Sequence, residues 1–192
     1  MCSSDLQERN DTDALERLHR EELLATCEQP NDFVRRSFRL LELGWNEDAK
    51  EAASRAIRLQ PDIAQARFNC ALAALRLGEE ELSLSELNEI EPVATEIFPS
   101  AMSMRASILE RRGDLDGALE SMTRLLVVEP RNADAVLQQG KLLIHAGREG
   151  DARSVLEPLA VEDKRIAVEL AGIMLRAGDI AGAGLVATLA LQ

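Results

Sequence analysis

The 192-residue chain has few aromatic residues and no excess of positive charge. It contains no Tyr, one Trp and four Phe, and only 3% of its residues are aromatic. Lys and Arg number 22 against 34 Asp and Glu, which gives a formal net charge of -12 at pH 7. Nucleic-acid binding needs basic surfaces that neutralise phosphates and, for single strands, aromatic side chains on which bases stack. The composition therefore argues against a nucleic-acid ligand.

Long apolar runs and catalytic motifs are also missing. No stretch approaches the roughly 18 apolar residues of a membrane-spanning helix, so we expect no membrane insertion. His19 and His145 are far apart, and neither has a Cys or a second His three or four residues away, so they predict no metal site. No glycine-rich phosphate loop, nucleophile elbow or zinc motif occurs. We expect no catalytic residues, no cofactor and no bound metal.

Cysteine is scarce as well, and Cys2, Cys27 and Cys70 lack the spacing of a disulfide framework or a metal site. An odd number of cysteines suits a reducing compartment. Cys70 falls within an apolar helical pattern, so we expect it to be buried. The sequence over 1–29 is dense in charge and lacks the basic start and apolar stretch of a secretory signal. These features favour a cytoplasmic location.

What the chain does have is a repeat. Hydrophobic residues make up 46% of the sequence and charged residues 29%, which provides a core and argues against disorder. Glycines recur at intervals of 31 to 35 residues: Gly44, Gly78, Gly113, Gly147 and Gly178. Seven residues before each glycine stands a small residue: Ser37, Ala71, Ala106, Gly140 and Ala171. Five residues after each stands another: Ala49, Ser83, Ala118, Ala152 and Ala183.

The repeat predicts a helical hairpin. Residues 33–43 have the apolar periodicity of an amphipathic helix, and Gly44 provides the positive φ of a helix C-cap. Residues 48–59 form a second helical pattern, which Pro61 ends because proline cannot continue the hydrogen-bond ladder. The small residues then lie where the two helices cross and let the backbones approach closely. Between the second and third hairpins, Pro92 and Pro99 predict a loop over 91–99.

This pattern resembles the tetratricopeptide repeat family, whose 34-residue unit combines a small residue in its first helix, a glycine before the turn, an alanine in its second helix and a closing proline. The segments 30–61 and 99–130 resemble it most. The resemblance implies an all-α fold, a right-handed α-solenoid of five hairpins over 30–192. The expected repeats cover residues 30–63, 64–98, 99–132, 133–163 and 164–192.

Two other repeat families are alternatives. Pentatricopeptide repeats share the period and the hairpin but bind RNA, which the acidic composition disfavours. HEAT and armadillo repeats need roughly 40 residues or more per unit, which the glycine spacing excludes.

The N-terminal segment 1–29 precedes the repeats. The peptide over 1–6 matches the translation of a common sequencing-adapter end, so we hypothesise that it is a sequencing scar. Residues 11–28 have the pattern of one charged helix, which adds an N-terminal helix to the five hairpins. That helix either caps the first hairpin or folds into the groove of the array itself.

The resemblance also implies a concave groove lined by the first helices of the hairpins. The first two repeats place mainly apolar residues there, and cations or a histidine recur two residues before the later glycines, at Arg76, Arg111, His145 and Arg176. Alternatively, the apolar residues pack on the predicted helix over 11–28 or within the hairpins, and the cations serve the helix dipole. The predicted partner-binding residues are Val34, Phe38, Leu41, Phe68, Asn69, Leu72, Leu75, Arg76, Arg111, Lys141, His145 and Arg176.

The last predicted helix, 182–192, has no polar face. A terminal repeat normally presents a polar outer surface. We therefore expect either that the natural chain continues or that two copies associate through Leu185, Val186, Leu189 and Leu191.

The function that the sequence favours is a protein–protein interaction scaffold. An apolar groove with a charged rim suits a partner helix or an extended peptide. The alternative is the regulatory or substrate-recruiting arm of a larger bacterial enzyme whose catalytic domain lies outside this chain.

Overall fold

The computed structural model describes residues 29–92 and 96–190, with side chains as far as Thr188, and this part of the chain is helical without strands. The predicted helix over 11–28 and the hypothesised scar over 1–6 lie outside the described residues. The described helices are α1 (Pro30–Glu42), α2 (Asn46–Leu59), α3 (Ala64–Arg76), α4 (Glu80–Asn88), α5 (Phe98–Arg111), α6 (Leu115–Val128), α7 (Ala133–His145), α8 (Glu149–Leu156), α9 (Lys164–Arg176) and α10 (Ile180–Ala190).

The helices are distributed over two compact units, of which unit 1 ends at Glu86 and unit 2 begins at Leu87. In unit 1, α1 packs on α2 and on α3, and α2 also packs on α3. In unit 2, α5 packs on α6, α7 on α8, and α9 on α10, while α7 also contacts α9. The predicted all-α architecture of helical hairpins is confirmed.

Glycine ends the first helix of each hairpin. Gly44 has a φ of 79°, a left-handed conformation that costs glycine least because it has no Cβ. The next amide, Trp45 N–H, then donates to the carbonyl of Leu40 at 2.9 Å and satisfies one of the free carbonyls at the helix end. Gly78, Gly113, Gly147 and Gly178 also have positive φ, so the predicted C-caps are confirmed.

The predicted loop over 91–99 lies about two residues earlier than expected. Residues 89–92 and 96–97 are not helical, but α5 already begins at Phe98 and includes Pro99 in its first turn. Proline is tolerated there because the first amides of a helix have no intrahelical acceptor. Pro99, which marks a repeat boundary in the sequence, therefore lies in the first turn of a helix.

All ten small residues are buried, as their predicted place between paired helices requires. A Cβ added at Gly140 of α7 would lie 2.6 Å from Leu156 Cδ2 and 2.8 Å from Leu156 Cγ of α8. A side chain at position 140 would therefore clash with the side chain of Leu156 unless that side chain shifts.

The core clusters of unit 1 consist mainly of alanines and leucines. One cluster contains Leu40, Leu41, Ala49, Ala52 and Ala73, and Leu72 packs against it. A second contains Phe33, Ala56 and Ala66, with Val34 packed against it. Cys70 is also buried, as predicted, and burial raises the pKa of its thiol.

Gly140→Ala is expected to destabilise the protein by about 1 kcal/mol. Overpacking against Leu156 costs roughly 1–3 kcal/mol, which exceeds the roughly 1 kcal/mol that alanine gains over glycine in a helix. Urea unfolding measures the difference. The matched control is Gly150→Ala in α8, where the added Cβ would meet nothing within 4 Å, and this variant should be as stable as the wild type or more so. Equal stability of the two variants would contradict the close crossing.

Candidate functional site

The first helices of unit 2 form a pocket of about 280 Å³. One carboxylate comes from α5, one comes from α9, and α7 contributes the remaining side chains. The lining residues are Glu110, Gln138, Lys141, Ile144, His145 and Glu169. The predicted partner-binding residues Lys141 and His145 therefore lie in one pocket. Both are on α7, one of the first helices that the sequence assigned to the groove.

Polar pairs of side chains cross this pocket from helix to helix. His145 Nδ1 lies 2.9 Å from Glu110 Oε1, which joins α7 to α5. Lys141 Nζ lies 3.5 Å from Glu169 Oε1, which joins α7 to α9. The side chains of His145 and Lys141 are 63% and 52% exposed, so solvent screens both pairs and each contributes little to stability. These groups can exchange their present partners for those of a ligand at low cost.

The predicted basic positions largely bind within the chain. Arg76 Nη1 donates to the carbonyl of Leu41 at 2.7 Å and thereby links α3 to α1. Arg176 Nε donates to Glu149 Oε1 at 2.7 Å and links α9 to α8. Arg111 is exposed at the end of α5. The cations at this position thus contact neighbouring helices as well as standing in the last turn of their own helix.

The apolar residues predicted for unit 1 divide between core and surface. Phe38 is 51% exposed, and Phe68 and Leu75 are half-buried. Val34 and Leu72 are half-buried and pack on the core clusters. Leu41, in contrast, is only 5% exposed and belongs to the core. We therefore leave it out of the proposed surface, because a partner cannot reach its side chain.

Asn69 is likewise buried, with 1% exposure. Its Nδ2 donates to Ser37 Oγ at 2.8 Å, and its Oδ1 accepts from Gln65 Nε2 at 2.8 Å. The Ser37 hydroxyl in turn donates to the carbonyl of Val34 at 2.8 Å. The amide of Asn69 therefore completes a polar network between α3 and α1 inside unit 1, and we also leave Asn69 out of the proposed surface.

The family resemblance also places Glu110 and Ile144 on the groove face, whereas Gln138 and Glu169 were not predicted from the sequence. Each of the latter two stands nine residues before its glycine. Asn69, which was predicted to bind a partner, has the same position in its repeat. That shared position could therefore have identified Gln138 and Glu169 from the sequence. The sequence does not show, however, that this position is buried in unit 1 and half-exposed in unit 2.

The predicted self-association surface is described in part. In α10, Leu185 is 67% exposed and Val186 is half-buried. The side chains of Leu189 and Leu191 lie outside the described residues. Association of two copies through this helix stays a prediction.

Neither a metal site nor a membrane-spanning helix is found in the described residues. No group of three or more His, Cys, Asp or Glu side chains is placed to hold a metal ion. In the same part of the chain, no helix combines the length and apolar composition needed to cross a bilayer.

The repeat pattern corresponds to a known family. Residues 39–100 and 103–160 both match the family model described as tetratricopeptide repeat. These two segments cover more than half of the chain. The chain belongs to the tetratricopeptide repeat family. The family predicted from the glycines and the small residues is therefore confirmed.

Solved structures of other tetratricopeptide repeat proteins have a similar fold. MamA (41-end) from Desulfovibrio magneticus RS-1 is 16% identical with a TM-score of 0.65, over 87% of this chain and 96% of that one. YrrB, described as having an unusual peptide-binding site, is 14% identical with a TM-score of 0.64, over 83% and 84%. TTC0263 from Thermus thermophilus is 25% identical with a TM-score of 0.51, over 84% and 90%. The likeness to MamA and YrrB shows the fold alone. No curated protein matches the chain.

Asn69→Ala is expected to lower the free energy of unfolding by about 1–3 kcal/mol, because it leaves the buried hydroxyl of Ser37 without its donor. Urea unfolding of the full chain measures this change. Gln65→Ala removes a half-buried side chain from the edge of the same network, so it should cost clearly less. If Asn69→Ala were as stable as the wild type, Asn69 would not be the structural residue described above.

Proposed function

We propose that the chain is a scaffold that binds a peptide or helix of another protein on the faces of its first helices, without catalysis. The observation that carries this proposal is the pocket of unit 2, where three successive first helices place their side chains around one cavity. Family membership supports protein binding in general, and the pocket supports a particular location for it.

The chemistry of the pocket suits one anchoring side chain of a peptide. Its volume of about 280 Å³ lies just below the roughly 300–1,000 Å³ of small-molecule sites. Ile144 offers an apolar contact, and Gln138 offers an amide that donates and accepts hydrogen bonds. A peptide that buries one side chain here can bind its backbone polar groups to the surrounding polar side chains.

Unit 1 provides a second surface for the same function. Phe38, Phe68 and Leu75 are exposed or half-buried on its first helices. Aromatic side chains that reach the surface, such as those of Phe38 and Phe68, are typical anchors of protein interfaces. Arg76 flanks this surface, while Arg111 and Arg176 belong to the proposed surface of unit 2.

A cytoplasmic location and a ligand other than nucleic acid are parts of the same proposal. Cys70 is a free, buried thiol, which fits a reducing compartment. The net charge of -12 opposes binding to phosphate backbones.

The pocket of unit 2 is tested with a displayed peptide library selected on the full chain. The best peptide should bind the Lys141→Glu, Ile144→Asp double variant at least tenfold more weakly, because the apolar contact and the cation are both lost; tenfold corresponds to about 1.4 kcal/mol. The matched control is Ser154→Asp on α8, an exposed residue of a second helix, which should bind normally. Equal affinity for the double variant and the wild type would overturn the assignment of this pocket.

The surface of unit 1 has its own test. Peptides whose binding depends on aromatic or aliphatic anchors should bind the Phe38→Ala, Phe68→Ala double variant at least tenfold more weakly, as measured by calorimetry. Circular dichroism confirms that this variant stays folded. Selected peptides that all bind the variant as tightly as the wild type would exclude the unit 1 surface from the function.

A further inference from the structure

The first hairpin contains a pocket that lies outside the surfaces proposed above, at the end opposite the turn at Gly44. Its volume is about 330 Å³, which falls within the roughly 300–1,000 Å³ of small-molecule sites. The lining residues are Phe33 of α1 and Arg55, Arg58 and Leu59 of α2. One cavity thus combines two apolar side chains with two cations.

The two arginines of the pocket have weak partners or none. Arg55 and Arg58 share one face of α2 because they stand three residues apart. Arg55 Nη2 lies 2.5 Å from Glu51 Oε1, but these side chains are 44% and 56% exposed, so solvent screens the pair and it contributes little to stability. The side chain of Arg58 is exposed and has no ion pair or hydrogen bond with any described residue. One guanidinium is therefore available to a ligand, and the other can change its partner at low cost.

A third cation lies close to the same pocket. Arg36 Cζ is 5.5 Å from the centroid of the Phe33 ring, and Arg36 is only 4% exposed. Its Nε, Nη1 and Nη2 atoms are buried and make no hydrogen bond to the described residues. The ring face attracts this cation, but a neutral ring does not cancel its charge. The surroundings of Phe33 therefore carry positive charge that the described residues do not balance.

This local charge, rather than the charge of the whole chain, decides what the pocket binds. The net charge of -12 repels an acidic ligand at long range. At physiological ionic strength, however, charges are screened beyond about 8 Å, so a bound ligand interacts mainly with the arginines beside it. Carboxylates bind guanidinium groups through charge-assisted hydrogen bonds, which are about twice as strong as those between neutral groups. The pocket therefore favours an anionic ligand.

We propose that this pocket binds an acidic segment of a partner protein, in which an aliphatic or aromatic side chain stands next to Asp or Glu. The apolar side chain packs on Phe33 and Leu59, while the carboxylate binds Arg58 and displaces Glu51 from Arg55. A free phosphate has no group for the apolar half of the pocket, and a nucleic acid brings many phosphates close to an acidic chain. An acidic peptide with an apolar side chain matches both halves.

The test is a displayed library of random peptides that is selected on the full chain and then screened against the Arg58→Glu variant. Peptides that depend on Arg58 should combine Asp or Glu with an apolar neighbour. They should bind Arg58→Glu roughly tenfold more weakly or worse in calorimetry, because a hydrogen bond between charged groups is lost. Their affinity for the wild type should fall as salt rises from about 0.05 M to about 0.5 M. Leu59→Ser should weaken the same peptides through the loss of an apolar contact.

The matched control is Arg39→Glu on α1. Arg39 is also an exposed arginine of unit 1 that has no ion pair or hydrogen bond with any described residue, but it lies outside the pocket. The selected peptides should bind this variant as tightly as the wild type. Arg58→Gln should also weaken them, and it adds no negative charge at the end of α2, where the helix dipole disfavours one. Urea unfolding shows that each variant is folded.

Two results would overturn the proposal. In the first, no selected peptide binds Arg58→Glu and Arg58→Gln more weakly than the wild type, as expected if another part of the chain fills the pocket. In the second, peptides with Asn and Gln in place of Asp and Glu bind as tightly as the originals, so carboxylates are not recognised. Either result leaves the surfaces on the first helices to their own tests, which use different variants.

Discussion

The close crossing of two helices within each hairpin is the constraint on which the rest of the structure depends. Backbones can approach this closely only where side chains are absent or end at Cβ or Oγ, as at Gly140, Ser37 and Ala118. This spacing explains a core that is rich in alanine. It also explains why glycine must end each first helix, because the chain has to reverse within a few residues to bring the second helix into contact.

Equivalent positions of the repeat carry side chains of different chemistry in different hairpins. Arg76 reaches back to a backbone carbonyl of the previous first helix, whereas His145, at the same place in its repeat, reaches a carboxylate. The position nine residues before the glycine holds a buried Asn69 in unit 1 and the half-exposed Glu169 in unit 2. The repeat fixes the direction of each side chain and its distance from the neighbouring helix. The residue type then decides whether the side chain packs inside the protein or stays available for a ligand.

The pocket of unit 2 depends on this regularity. Its carboxylates come from the helices before and after α7, so it exists only where three first helices lie side by side, and a single hairpin could not form it.

The amino-acid sequence alone determined the helical hairpins, their glycine ends, the small residues at the crossings and the family, because these are local patterns that repeat with a fixed period. It also placed Lys141 and His145 on the first helix of the fourth hairpin, which is α7. Tertiary structure decided which first-helix residues reach the surface. Leu41 and Asn69 have the same periodicity as exposed neighbours, yet both are buried against an adjacent hairpin. Burial of that kind depends on packing between segments about 35 residues apart. No local sequence pattern encodes such packing.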